Sequence, residues 1–188
     1  MKIKSENSKS IILGVDPGSV ICGYGVICKD GSKLSLVEYG VIKAKLKNEV
    51  FNERLAHIHN RLNEVILRTG AKIASFETIF FSKNVQSLIK LSHARSAAIL
   101  SATLNQLEIF EYSANEVKRS VSGRGQASKE QVQFMVKRIL NIEETQEFFD
   151  ATDALAIAIC HSYKNQVNSK SPASWKDFVK ENPNRIVK

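Results

Sequence analysis

Hydrophobic periodicity in the first part of the chain predicts three consecutive β-strands, and this start limits the folds open to the rest. Apolar or alternating segments cover residues 11–16, 21–28 and 33–43, the pattern that is typical of strands. Pro17-Gly18-Ser19 and Asp30-Gly31 separate these segments, and both are turn sequences. Because short turns join neighbouring strands, we expect the three strands to be antiparallel.

The middle of the chain alternates between helical and strand patterns. Apolar residues at steps of three and four predict a helix that begins near residue 50 and ends at Gly70, and a second helix over 84–106. A strand is predicted after each helix, at 72–77 and at 108–112. Because the first of these strands is reached through a helix, we expect it to run parallel to the first strand of the chain.

The last part of the chain predicts three more helices. Ser113 with Glu116 and Ser128 with Gln131 are capping boxes, and a long apolar helix spans roughly 147–165. The order βββαβαβααα predicts an α/β fold of the ribonuclease H-like arrangement. This is a five-stranded mixed sheet, three antiparallel strands and then two parallel ones, flanked by helices.

The composition divides the chain into one domain and two terminal segments. Residues 1–10 read as a flexible arm, 11–165 as the ribonuclease H-like domain, and 166–188 as a basic tail. Within the tail, Trp175 and Phe178 belong to a segment that could form a short helix docked on the domain.

Charge and cysteine usage limit the possible partners and compartment. The 188 residues carry a net charge of +8, which favours a polyanionic partner such as nucleic acid. No apolar run approaches the roughly 20 residues of a membrane span, and the polar N-terminus lacks the pattern of a signal peptide. Cys22, Cys28 and Cys160 are odd in number and form no C-x-x-C pair. We therefore expect a cytoplasmic protein without a membrane partner.

Four carboxylates stand at the ends of apolar segments. Asp16 and Glu77 end the first and fourth predicted strands, and Asp150 and Asp153 open the last helix. An unpaired buried charge is strongly destabilising, so acids on three remote segments indicate one shared partner. Neighbouring parallel strands would place Asp16 beside Glu77, and the two helical acids share a face. Each acid alone has a plain explanation, such as a turn or a helix dipole, but the four together favour a cluster.

Such a cluster predicts a divalent-cation site. Hard cations such as Mg²⁺ take oxygen ligands, and adjacent carboxylates cannot all stay ionised without a cation. Two cations about 3.5–4 Å apart would activate a water for attack on phosphorus and stabilise the leaving 3′ oxygen. The predicted reaction is phosphodiester hydrolysis, with 5′-phosphate and 3′-hydroxyl products. The histidines have no metal-site spacing and read as structural or surface residues: His57, His59, His93 and His161.

Basic residues surround a loop with two glycines that follows the fifth strand. The loop covers residues 122–126, Lys118 and Arg119 precede it, and Arg124 and Lys129 frame it. Gripping a phosphate needs cations on a surface that can adapt, which glycines allow. These four residues are therefore candidate DNA contacts, although a solvated charged face remains the alternative, above all for the two arginines.

Two adjacent aromatic residues, Phe80 and Phe81, follow the strand that ends at Glu77. One of them could belong to the core, and the other could stack on an unpaired base, a contact worth about 1–3 kcal/mol. Lys83, two residues further on, is a weaker candidate for a phosphate contact.

Several motifs within residues 11–162 occur in an order and spacing that match a known family. They are Ile12-Leu13-Gly14-Val15-Asp16-Pro17-Gly18-Ser19, Gly23-Tyr24-Gly25-Val26, Glu77, Lys83-Asn84, Ala94-Arg95, Phe110-Glu111-Tyr112, Val117-Lys118, Gly123, Gly125 and Asp150-Ala151-Thr152-Asp153-Ala154-Leu155-Ala156-Ile157-Ala158. Together they closely resemble the RuvC family of Holliday-junction resolvases.

The resemblance implies a homodimeric endonuclease that depends on Mg²⁺, with Mn²⁺ as a possible substitute, and resolves four-way DNA junctions by paired symmetric nicks in recombination and repair. It implies a partner complex of a junction-binding protein and a helicase motor that drives branch migration. The family's catalytic and metal-binding acids match Asp16, Glu77, Asp150 and Asp153. Its basic residues near the scissile strand match Lys118 and Lys129, and its stacking aromatic matches Phe80. Val20-Ile21 departs from the family, in which many members carry a polar residue after the serine.

A symmetric dimer suits a junction of approximate two-fold symmetry, because it presents two identical sites. The helix at 84–106 is the candidate dimer element, since its small residues permit close packing; the alternative is a helix packed only on its own sheet. Those small residues are Ser92, Ala94, Ser96, Ala97, Ala98, Ser101 and Ala102.

Rival functions fit the sequence less well. An actin-like or sugar-kinase-like ATPase also has Asp-x-Gly after a strand, but it needs two such domains, and the chain has room for one. A non-catalytic nucleic-acid-binding or scaffold protein of the same fold would tolerate the loss of an acid, and all four are present. Another ribonuclease H-like nuclease remains an alternative.

Overall fold

The computed structural model describes residues 9–44, 50–79, 84–143 and 149–164. Within these ranges the chain forms five strands and five helices. The strands are β1 (Ser10–Asp16), β2 (Ile21–Asp30), β3 (Lys33–Lys43), β4 (Ile73–Glu77) and β5 (Glu108–Tyr112). The helices are α1 (Phe51–Thr69), α2 (Val85–Leu104), α3 (Ala114–Ser122), α4 (Lys129–Leu140) and α5 (Phe149–Lys164).

The strands form one mixed sheet in the order β3-β2-β1-β4-β5. β1, β2 and β3 are antiparallel neighbours, whereas β4 runs parallel to β1 and β5 parallel to β4. The predicted ribonuclease H-like arrangement is therefore confirmed. The predicted ends of the elements differ from the observed ones by a few residues at most, and both capping boxes, at Ser113 and Ser128, are present.

Helices cover both faces of the sheet. Because successive side chains of a strand point to opposite faces, Leu13 and Val15 join a core with α1 and α2, while Ile12 joins a second core with α3, α4 and α5. Helix α5 is the most buried of the helices, with every residue of 154–162 buried. An apolar helix of this kind belongs inside a domain, between the sheet and the outer helices.

Glycines on the sheet allow α5 to pack unusually close to it. An added Cβ on Gly14 would lie 2.0 Å from the carbonyl oxygen of Ala154, and one on Gly23 would lie 2.0 Å from that of Asp150. Gly14 and Gly25 are paired across β1 and β2, so the glycines form a patch without side chains on the α5 side of the sheet. The helix backbone rests directly on this patch, and its first turn therefore reaches the edge of the sheet at which β1 ends.

The small residues of α2 pack largely within the molecule. Ala94, Ala98 and Ala102 are buried in the core shared with α1, and the Ser101 hydroxyl donates to the carbonyl oxygen of His59 at 3.2 Å. For these residues the alternative, packing on the chain's own core, is the correct one. The exposed face of α2 instead carries larger apolar side chains: Val85, Ile89, Leu100 and Leu104.

The predicted arm and the predicted tail with its docked helix fall almost wholly outside the described residues, so the domain limits stay predictions. Within the part of the chain that the structure describes, none of the helices combines the length and the apolar character that crossing a membrane requires.

Candidate active site

The ends of two neighbouring strands place the first two acids. The register between β1 and β4 pairs Val15 with Phe76, so Asp16 and Glu77 follow directly at the same edge of the sheet. Alternation along each strand puts both carboxylates on the face that α5 covers, the side of Ile12 and Ile73. Sites in parallel sheets commonly lie beyond the carboxyl ends of the strands, where this pair stands.

Helix α5 supplies the other two acids. Gly23 is the cross-strand partner of Asp16, and the backbone of Asp150 packs directly on Gly23. The start of α5 therefore lies beside the end of β1. Ligand oxygens of Asp16, Asp150 and Asp153 all lie within 4.8 Å of one another. Among the described residues, Glu77 is not part of this tight group of three.

Glu77 joins the group through a shared cleft of about 430 Å³. The polar part of its wall is made of carboxylates and lysines, and the apolar part comes from α3, α4 and α5. The lining residues are Asp16, Glu77, Ala114, Val117, Lys118, Lys129, Val132, Asp153 and Ala156. Two of the predicted basic residues therefore face the acids directly.

The acids oppose one another's ionisation. Burial, followed by the charges of Asp153, Glu77 and Asp150, raises the pKa of Asp16 from 3.8 to about 7. Burial and the charge of Asp153 also raise the pKa of Glu77. An acid such as Asp16 that retains its proton up to about neutral pH lacks positive charge beside it, and a bound cation would supply that charge.

Two lysines provide part of that charge. The Lys129 ammonium lies 2.7 Å from Oδ2 of Asp153, and this hydrogen bond raises the pKa of the lysine. Lys118 and Lys129 both act to lower the pKa of Glu77, against the effect of burial. Lys129 is the first residue of α4, so the capped start of that helix brings its backbone to the cleft, which its side chain lines.

The donor set fits a hard divalent cation. Three carboxylates from two elements offer oxygens within 4.8 Å, the distance range over which one ion can bridge them. These are the ligands that Mg²⁺ and Mn²⁺ accept, and the set contains neither sulfur nor imidazole. His161 is buried within the second core instead, with its Nδ1 2.7 Å from the Tyr112 hydroxyl, in keeping with a structural role.

The other predicted DNA contacts lie elsewhere or outside the described residues. Arg119 is exposed on α3 and packs beside Gly125 of the loop. Arg124 lines a different cleft, together with Phe134 of α4. Phe80 and Lys83 fall outside the described residues.

Sequence reasoning gave no role to Arg95 and did not recognise Gly14 as a packing residue. Arg95 contacts the main chain of Glu77, and Gly14 accepts the backbone of α5. The signal for Arg95 was an arginine beside the buried Ala94. The signal for Gly14 was its position two residues before Asp16. A residue without a side chain therefore lies on the same face of β1 as that acid.

Comparisons with known proteins identify the family and support the fold. The family model described as crossover junction endodeoxyribonuclease RuvC matches residues 12–161. A protein of that name from Cytophaga hutchinsonii is 41% identical over 177 residues, which cover 94% of this chain and 88% of the relative. The structure of T. thermophilus RuvC in complex with Holliday junction substrate superposes with a TM-score of 0.79 at 30% identity, covering 85% of this chain and 97% of that one. The yeast mitochondrial Holliday junction resolvase Ydc2, at 18% identity and a TM-score of 0.63, covers 92% of this chain and 84% of its own, and it supports the fold.

Proposed function

The chain belongs to the RuvC family of crossover junction endodeoxyribonucleases, and from this membership we propose that it resolves Holliday junctions by hydrolysing DNA phosphodiester bonds. One observation carries the catalytic part of the proposal. It is the group of three carboxylates within 4.8 Å of one another, two of which, Asp16 and Asp153, line a cleft together with Glu77 and two lysines. A non-catalytic protein would have no need of the clustered acids.

We propose that Asp16, Glu77, Asp150 and Asp153 are the catalytic acids and hold Mg²⁺, two ions per site, with Mn²⁺ as a substitute. When bound, the cation supplies the Lewis acidity that activates water and stabilises negative charge on the phosphate. The protein contributes rigidity. The glycines beneath α5 fix Asp150 and Asp153 relative to Asp16, so the ligands are oriented before the ion arrives.

The lysines of the cleft are proposed to hold the scissile strand. A phosphate that enters the cleft would meet the ammonium groups of Lys118 and Lys129 beside the carboxylates. Arg119 and Arg124 would contact the DNA further from the bond that is cut, and Phe80 and Lys83, which follow Glu77 in the sequence, are proposed as further DNA contacts. Positive charge at the lysines and arginines of this set agrees with the net charge of +8 and with phosphate recognition.

We propose a homodimer as the active form. On α2, Val85, Ile89, Leu100 and Leu104 are 58%, 49%, 51% and 65% exposed. At 100° per residue they lie within roughly one third of the helix circumference, so the four side chains share one face of the helix. A second copy would cover this face and place two sites symmetrically on the junction. A branch-migration complex as partner, and action in the cytoplasm, complete the proposal.

The function is tested on a synthetic four-way junction and on plain duplex of the same sequence, each with Mg²⁺ and with EDTA. We expect paired, symmetric nicks in the junction only, and only with the metal. Nicks of equal frequency in the duplex would remove junction selectivity from the proposal. Cleavage in EDTA would contradict the proposed dependence on a metal ion. A dimer should cut both strands within one binding event, whereas single nicks that accumulate under dilution would contradict it.

Replacing Lys118 with alanine should separate the two classes of basic residue. We expect the nicking rate of Lys118→Ala to fall about 10- to 100-fold, because a cation facing the scissile phosphate acts on the transition state. The matched control is Arg124→Ala, which removes one positive charge from a different cleft. Arg124→Ala should weaken junction binding and make that binding less dependent on salt. Its nicking rate at saturating protein should stay close to that of the parent. Equal effects of the two variants on the saturated rate would contradict the assignment.

A further inference from the structure

Arg95 is a largely buried cation that does not line the acidic cleft. It lies in the middle of α2, and its side chain is 15% exposed. A guanidinium that has lost most of its water is costly unless protein groups replace the water, so its partners show what the residue holds in place.

All of the described partners of Arg95 lie at the carboxyl ends of two strands. Its Nε donates a hydrogen bond to the main-chain carbonyl oxygen of Glu77 at 3.3 Å. Its Nη2 lies 2.9 Å from Oε1 of Glu111, in the geometry of an ion pair. Its Cζ lies 6.0 Å from the centre of the Phe76 ring. One side chain therefore joins α2 to the last residues of β4 and to β5.

Glu77 is the residue at which this support is needed. The pairing of β4 with β1 ends at Phe76, so the next carbonyl lies beyond that ladder. On the other side, the Thr78 N–H donates to the carbonyl oxygen of Tyr112 at 2.9 Å. A main-chain carbonyl at the end of a ladder requires another donor, and Arg95 supplies one.

The guanidinium and the Glu77 carboxylate lie on opposite sides of the sheet. Phe76, which the guanidinium approaches, belongs to the core with α1 and α2, whereas Glu77 lines the cleft on the α5 side. Arg95 therefore acts on the cleft through the backbone. Glu77 is also the acid outside the tight group of three, so its reach toward Asp16 and Asp153 depends on where its main chain stands.

We propose that Arg95 is a positioning residue that fixes the main chain of Glu77, so that the Glu77 carboxylate stays directed at the other acids. This inference rests on the proposed function, because it assigns Glu77 a place in the metal site. Groups that orient a metal ligand typically change activity or metal affinity about 10- to 100-fold when they are removed.

The test compares Arg95→Met, Arg95→Lys and Glu111→Gln with the parent. Met keeps much of the apolar volume and removes every hydrogen bond, while Lys keeps the charge but loses the planar fork. Glu111→Gln is the matched control, because it removes the ion pair and leaves the hydrogen bond to Glu77 in place. The measurements are junction binding in EDTA, Mn²⁺ affinity by calorimetry without DNA, the single-turnover nicking rate at saturating metal, and the melting temperature.

We expect Arg95→Met to bind the junction within about 2-fold of the parent, to bind Mn²⁺ about 10-fold more weakly and to nick about 10- to 100-fold more slowly. Arg95→Lys should show the same direction with smaller losses, and Glu111→Gln should match the parent. Parental Mn²⁺ affinity and nicking in either Arg95 variant would overturn the inference. So would a loss that Glu111→Gln reproduces in full. If Arg95→Met does not fold, Arg95→Lys decides the outcome.

Glu77→Gln distinguishes this inference from the proposed function. If Glu77→Gln removes cleavage while both Arg95 variants behave like the parent, only the role of Arg95 is wrong. If Glu77→Gln cleaves normally, the proposed site itself is wrong, whatever the Arg95 variants do.

Discussion

Asp16→Asn should abolish junction cleavage and at the same time stabilise the metal-free protein. The loss of cleavage follows because Asp16 is the strand residue of the group of three carboxylates, with oxygens within 4.8 Å of those of Asp150 and Asp153. An amide cannot carry the charge that a divalent cation requires. We expect the nicking rate to fall by about 1,000-fold or more.

The gain in stability follows from the raised pKa of Asp16. Its pKa is about 7 in the folded protein against 3.8 as the reference for the unfolded chain. Between these values the folded state holds a proton that the unfolded state has released, so the free energy of unfolding falls as the pH rises. Below pH 3.8 Asp16 costs the folded protein no stability, and above about pH 7 the full loss of stability is present. Asparagine carries no charge at any pH, so Asp16→Asn removes this pH-dependent loss of stability.

Melting temperatures in EDTA, measured from about pH 4.5 to about pH 8, test the prediction. Asp16→Asn should melt higher than the parent, by about 5 °C or more at the upper end, and the difference should shrink toward the acid end. Added Mg²⁺ should raise the parent more than the variant, because only the parent keeps the full ligand set. Asp30→Asn, a change of the same charge at an exposed position, should alter neither stability nor cleavage. A variant that is less stable than the parent in EDTA at neutral pH would contradict the electrostatic account of the cleft.

Gly14→Ala should be strongly destabilising, although it adds one methyl group. The new Cβ would lie 2.0 Å from the Ala154 carbonyl oxygen and 2.8 Å from the Ala158 nitrogen. Both are backbone atoms of α5, which cannot rotate away as a side chain can. We expect a loss of about 3 kcal/mol or more in the free energy of unfolding, at or above the upper end of the usual cost of overpacking, because the contacted atoms are backbone.

The matched control for this change is Gly125→Ala, whose added Cβ would be 3.5 Å or more from its neighbours. It should change the free energy of unfolding by less than about 1 kcal/mol. Urea unfolding of both variants gives the comparison. Where Gly14→Ala is still folded, the displaced α5 should carry Asp150 and Asp153 away from Asp16 and reduce cleavage. Parental stability in Gly14→Ala would mean that α5 does not rest on the glycines as the structure has it.

The prediction of the fold succeeded because its evidence is local. The turns at residues 17–19 and 30–31, the capping boxes at Ser113 and Ser128, and the alternating strands each record a preference of a short segment. Short turns and helical crossovers then leave few ways to arrange the strands, and the order β3-β2-β1-β4-β5 followed.

The four candidate acids could also be picked out of the sequence, because a charge at the end of an apolar segment stands out wherever it finally lies. The differences between the acids were not. The structure separates a tight group of Asp16, Asp150 and Asp153 from Glu77, and it gives Asp16 the raised pKa. Distances of a few ångströms between remote segments decide both features, and no local preference records them.

The basic residues also show what the sequence indicates and what only the structure decides. By sequence, Lys118, Arg119, Arg124 and Lys129 form one group around a glycine loop. In the structure, the two lysines face the acids, while Arg124 belongs to a different cleft. Which side of α3 or α4 meets the cleft depends on how those helices pack on α5.

The sequence by itself determined the elements and their order, and it singled out the four acids as candidates, because turn chemistry, periodicity and buried charge act over a few residues. Only the tertiary structure decided how these parts meet. The close approach of α5 depends on Gly14 and Gly23, which lie on different strands, and the support of Glu77 depends on Arg95 from a helix on the other side of the sheet. Such contacts join residues far apart in the chain, and their geometry exists only once the sheet and its two cores have formed.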